Sequence, residues 1–112
     1  MPKGALNEGL PYLSKAVDID PNNSSVRYNF AVTLARLRQH DRAITQWQEI
    51  LRRDGRTADT LSCLAAGYAE SGRLDEAFTT LDQALKLAIS AGDQRLVEQI
   101  ARQIGLYRQR GP

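Results

Sequence analysis

The chain has 112 residues but one histidine, His40, and one cysteine, Cys63. A metal centre built on His or Cys needs several such ligands, and a nucleophilic serine needs an imidazole base beside it. One imidazole makes no cluster, and Cys63 has no second cysteine for an internal disulfide. From its position, His40 reads as a surface residue of an inter-helix turn, and Cys63 as a small packing or groove residue. Glycines at 4, 9, 55, 67, 72, 92, 105 and 111 form no phosphate loop and no dinucleotide fingerprint. No catalytic residue, cofactor or metal ligand is expected, so the chain does not read as an enzyme.

Charge is the second source of chemistry. Fifteen Lys and Arg face thirteen Asp and Glu, net +2. Residues 21–57 carry seven Arg against three acids, residues 58–92 two basic against five acidic, and residues 93–112 four Arg against two acids. Nucleic acid asks for one continuous basic face with stacking aromatics, and these bands alternate in sign. Nucleic acid is therefore disfavoured as a partner. No apolar run reaches the ~18–20 residues of a membrane helix, so no membrane role is expected. Met1–Gly4 shows no apolar stretch of a secretory signal, which favours the cytoplasm.

The elements that must position these residues follow from spacing. Offset by 34, Phe30-Ala31 falls on Leu64-Ala65, Leu34 on Tyr68, Asp41 on Asp75, Ala43 on Ala77 and Trp47 on Leu81. Stepping back by 34, Asn7 underlies Asp41, Gly9 underlies Ala43 and Leu13 underlies Trp47. Within each period apolar residues recur every three to four positions, which means amphipathic helices. The spacing predicts six, at about 8–18, 24–38, 42–54, 58–71, 75–90 and 93–109. Asn7, Asp41 and Asp75 read as N-caps. Pro11 argues for a first helix beginning near Leu10, since proline suits a helix's first position. Beyond residue 90 the offset becomes 36. Val97, Ile100, Ala101 and Ile104 then match Leu61, Leu64, Ala65 and Tyr68, with two extra residues expected in the turn 90–93.

Leu61, Leu64-Ala65, Tyr68, Ala77, Leu81 and Ala84, with Phe30-Ala31, Ala43 and Trp47 a period earlier, resemble the tetratricopeptide repeat, a 34-residue helix–turn–helix unit. Arg27 departs from the pattern at its first large position, and Leu34 stands where the motif has Tyr. The resemblance implies an all-α fold of antiparallel helix pairs stacked as a right-handed solenoid, in one domain over 1–112. Residues 1–20 would be the second helix of a truncated repeat, 21–57 and 58–92 full repeats, and 93–112 a capping helix. The chain then reads as the C-terminal piece of a longer array.

It also implies a concave groove lined by the first helix of each pair. By register the groove residues are Tyr28, Asn29, Val32 and Arg36, then Ser62, Cys63, Ala66 and Glu70, then Arg95, Gln99 and Arg102. The function this implies is non-catalytic binding of a peptide segment or partner protein. The alternatives are a structural or oligomerisation segment of a larger scaffold and an RNA-binding helical repeat. Trp47 reads as a core filler. Helix 8–18 has no first-helix mate in the register, so its apolar strip should pair weakly with another copy.

Overall fold

The computed structural model describes residues 3–110. Six helices account for nearly all of them: α1 (Lys3–Ile19), α2 (Ser24–Arg36), α3 (His40–Asp54), α4 (Ala58–Glu70), α5 (Leu74–Ser90) and α6 (Gln94–Arg110). No strand occurs among the described residues. The chain falls into two compact units, Met1–Gly55 and Arg56–Pro112. In the first, α2 packs on both α1 and α3; in the second, α4, α5 and α6 each pack on the other two.

Each unit holds its own core. In the first it is Val17, Phe30, Ala31, Leu34, Ala43, Ile44, Trp47 and Ile50. In the second it is Leu61, Leu64, Ala65, Tyr68, Ala77, Leu81, Ala84, Leu96, Ile100 and Tyr107, among others. The small residues in register, Ala31, Ala43, Ala65 and Ala77, are all fully enclosed. A methyl side chain there lets two helices approach to the ~8–10 Å of close packing.

The helix starts correct the expected caps. The first helices of the pairs have side-chain caps: Asn23 accepts from Val26 N–H at 3.2 Å, Thr57 from Thr60 N–H at 3.2 Å and Asp93 from Leu96 N–H at 3.1 Å. The second helices do not. Gln39 and Arg73 precede α3 and α5 without a side-chain cap bond. Asp41 and Asp75 instead sit one residue inside, where their charge meets the positive end of the helix dipole. The reason is the turn before them. Gln39 N–H reaches back to Leu34 C=O and Arg38 N–H to Ala35 C=O; Arg73 and Gly72 repeat this onto Tyr68 and Ala69, and Asp93 and Gly92 onto Ala88 and Ile89. This double bond pattern closes a helix C-terminus and needs a left-handed residue. Gly72 and Gly92 supply it at φ 80° and 69°, and Arg38 adopts φ 62° with a full side chain. Arg38→Gly should therefore stabilise the first unit by about 0.5–1 kcal/mol, read as a rise of a few degrees in melting temperature. An unchanged or lower midpoint would show that the Arg38 side chain offsets its backbone strain.

Two further expectations change. α1 begins at Lys3, not near Leu10, and carries Pro11 inside; Asn7 lies within the helix and caps nothing. Pro11 deprives the Asn7 carbonyl of its donor, but both residues are exposed, so water can take its place. The two residues inserted after the second repeat lie in α5, not in the turn. Both α3 and α5 are followed by three connecting residues, and α5 has 17 residues against 15 in α3.

Candidate functional site

In the first unit, the predicted groove residues fall on α2. Asn29 and Arg36 are exposed and Val32 is half-buried. Tyr28 is 38% exposed and sets its ring edge-on to Trp47, centroids 4.9 Å apart at 73°. Part of its surface therefore belongs to the α2–α3 packing. Arg27, which departs from the repeat pattern, is buried. It donates to Gln46 Oε1 at 2.7 Å and to the Pro21 carbonyl at 3.2 Å, so it ties the start of α2 to α3 where an apolar side chain would only pack. His40 is the first residue of α3 and half-buried, with both ring nitrogens enclosed, which corrects the open turn position expected of it.

The second unit assembles more of the predicted set. Cys63 and Ala66 are half-buried on α4, and Ser62 is buried. The Ser62 hydroxyl donates to Gln103 Oε1, and Gln103 Nε2 donates to the Ser62 carbonyl at 3.4 Å. At the far end of α4, Glu70 pairs with Arg110 at 2.9 Å, and the Arg110 guanidinium lies 5.1 Å from the centre of the Tyr107 ring. These two polar bridges hold α6 along α4. Ser62 is thus committed to its neighbour and presents little surface of its own.

Beside the bridges runs a stripe of α6 residues at helical spacing, Arg95, Gln99, Arg102 and Leu106, all exposed. Leu106 is 59% exposed, an apolar side chain among cations and an amide. Gln103, Leu106 and Arg110 were not in the predicted set. Leu106 is the register twin of Glu70 at an offset of 36, and that was the one signal for it. The α6 core also differs: Leu96, Ile100 and Tyr107 are buried, whereas Ala101 is exposed and Val97 and Ile104 are half-buried. The matched positions thus lie mainly on the side of α6 turned away from α4 and α5.

Elsewhere the charges pair locally. Glu49 accepts hydrogen bonds from Arg52 and Arg53, which hold its carboxyl down at about 2. Arg73 lies 4.6 Å from the Tyr68 ring centre and bridges Glu76 at 2.7 Å, which lowers the Glu76 carboxyl. Among the described residues no three His, Cys, Asp or Glu side chains gather to hold a metal ion. No described helix is long and apolar enough to cross a membrane.

Paired helices closed by the same turn, with enclosed alanines where α2 meets α3 and α4 meets α5, give the chain the helical-repeat fold of tetratricopeptide-repeat proteins. Residues 12–45 match the sequence model of the tetratricopeptide repeat. Solved structures similar to the chain are tetratricopeptide-repeat proteins. One, TTC0263, a thermophilic TPR protein in Thermus thermophilus, is 28% identical with a TM-score of 0.76 over 91% of this chain and 51% of its own. Another, YrrB, is described as a TPR protein with an unusual peptide-binding site; it is 26% identical with a TM-score of 0.75 over 87% of this chain and 48% of its own. MamA AMB-1 is 26% identical with a TM-score of 0.71 over 74% and 49%. The chain spans about half the length of each. No curated protein matches it in sequence. Proteins of this fold are in general protein–protein interaction modules and typically non-catalytic.

Proposed function

We propose that the chain is a non-catalytic interaction module and that the α4–α6 face of its second unit takes a peptide segment. The carrying observation is the exposed stripe Arg95, Gln99, Arg102 and Leu106 beside the Ser62–Gln103 and Glu70–Arg110 bridges. Bridged helices need no reordering on binding, so less of the association free energy is lost. Leu106 offers an apolar anchor, the two arginines select for acidic groups near it, and Gln99 can both donate to and accept from a peptide backbone. Cys63 and Ala66 are small enough to let an extended chain lie close to α4. Tyr28, Asn29, Val32 and Arg36 present the corresponding face of α2 in the first unit. The peptide-binding site in the description of YrrB supports a peptide as ligand.

Panning a displayed random-peptide library on the immobilised chain tests this. Enriched peptides should carry an apolar residue with acidic neighbours. The double change Arg102→Glu with Leu106→Ala should weaken their binding at least tenfold and leave the melting temperature unchanged, because both residues are exposed. Peptides that bind the double variant as tightly as the parent, and lose affinity to Gln83→Ala on α5 instead, would place the ligand elsewhere.

A further inference from the structure

Three arginines crowd the turn between α2 and α3. Arg36 is the last residue of α2, Arg38 stands in the turn, and Arg42 lies in the first turn of α3. The same turn one repeat later has Glu70, Gly72 and Glu76 at these positions, so it closes without a cation at any of the three. Arg38 is also the one non-glycine among the described residues with a positive φ, 62°. Its side chain is held against a steric cost that Gly72 and Gly92 do not carry. Strain that closing the turn does not require collects at positions with another task. The charges here are open as well. Arg36 and Arg38 are exposed, and neither side chain has a hydrogen-bond or ion-pair partner among the described residues. Elsewhere Arg52 and Arg53 pair with Glu49, Arg73 with Glu76, Lys86 with Asp82 and Arg110 with Glu70. Arg42 is steered in place, donating to Gln39 Oε1 with its guanidinium 5.9 Å from the centre of the Phe30 ring. The only acid from residue 36 to 42 is Asp41.

We propose that this turn is a further interaction surface, distinct from the α4–α6 face, and that its occupant is an acidic segment of a partner protein, an exposed stretch of chain carrying several Asp or Glu residues. A guanidinium meets a carboxylate through two parallel hydrogen bonds, so Arg36, Arg38 and Arg42 can each seat one carboxylate of such a run. An anionic membrane surface asks for a cluster of about four to eight cations, more than this turn has. No strongly exposed apolar side chain stands beside the arginines to enter a membrane either, since Leu37 is half-buried. Single-stranded nucleic acid asks for open rings on which bases stack. The ring at hand, Phe30, is 5% exposed and lies under Arg42. Carboxylates spaced along a flexible chain are the anions that this surface fits.

Fluorescence anisotropy on the whole chain tests this, with a labelled decapeptide of alternating Glu and Gly as the probe. The same peptide with Gln for Glu, a single-stranded oligothymidylate and phosphatidylserine vesicles are the comparison probes. The Glu peptide should bind, more weakly as salt is raised, and the Gln peptide should not. The double change Arg36→Gln with Arg38→Gly should weaken binding at least tenfold and leave the melting temperature at or above that of the parent, because both side chains are exposed and glycine relieves the turn. A Glu peptide that does not bind, or that binds the double variant as tightly as the parent, would overturn the proposal. So would a double variant that melts well below the parent, which would make the two arginines structural. Binding lost to Arg102→Glu with Leu106→Ala instead would put the acidic segment on the α4–α6 face. Tighter binding of the oligothymidylate or the vesicles, lost in the double variant, would make the ligand a phosphate backbone or a lipid surface. Either result would equally overturn it.

Discussion

Trp47→Ala should lower the free energy of unfolding by about 3–5 kcal/mol, a large part of what a domain this size has to lose. The indole is 2% exposed at the centre of the first unit. Truncation loses its burial and leaves a cavity in a core that packed helices cannot readily collapse to fill. It also removes the edge-on contact with Tyr28, a geometry worth about 0.5–1.5 kcal/mol beyond area alone. Trp47→Phe should cost clearly less, since a ring remains. Urea unfolding followed by far-ultraviolet circular dichroism is the measurement, because it does not depend on the tryptophan itself. A midpoint within experimental scatter of the parent would show that Trp47 is not core.

Ala77→Leu should destabilise the second unit by ~1–3 kcal/mol. Leucine and alanine differ little in helix propensity, so the cost isolates packing. Ala77 is fully enclosed, as is its register twin Ala43, and three more carbons there must push α4 and α5 apart. Ala101→Leu is the control. Ala101 matches Ala65 in sequence but is exposed, so the same change there should be close to neutral in thermal melts at low concentration. Equal costs at the two sites would mean that propensity, not overpacking, sets the effect.

The contrast between Ala77 and Ala101 also marks how far the sequence could be read. Where a period is present on both sides, residue types alone place a helix, its inner face and its crossing point; Ala31, Ala43, Ala65 and Ala77 are enclosed as their spacing demands. Local chemistry was misread where two local solutions compete. Asp41 and Asp75 are good cap residues, but the turn bonds through Arg38 and Gly72 fix the chain earlier and leave both acids one position inside. Pro11 is a poor interior residue, yet it is exposed, where a missing donor costs little. On α6, the exposure of Arg95, Gln99 and Arg102 follows from the register that the helix keeps. The contacts of Gln103 and Arg110 do not, because what they do depends on how closely α6 approaches α4, and no period encodes that distance. Tyr107 lies beyond the matched positions altogether, and its burial is settled by the α4–α5 surface beneath it.

The pattern of helix contacts also sets how each unit comes apart. In the second unit α4, α5 and α6 form a closed triangle, and α6 is further held by Gln103 and Arg110. No helix can leave without breaking two packed faces at once, so its backbone amides are shielded from solvent until the unit opens as a whole. In the first unit α1 rests on α2. It can lift away while α2 and α3 stay joined by the Arg27–Gln46 and Tyr28–Trp47 contacts. The second unit is therefore built to open all at once, and the first to open in steps.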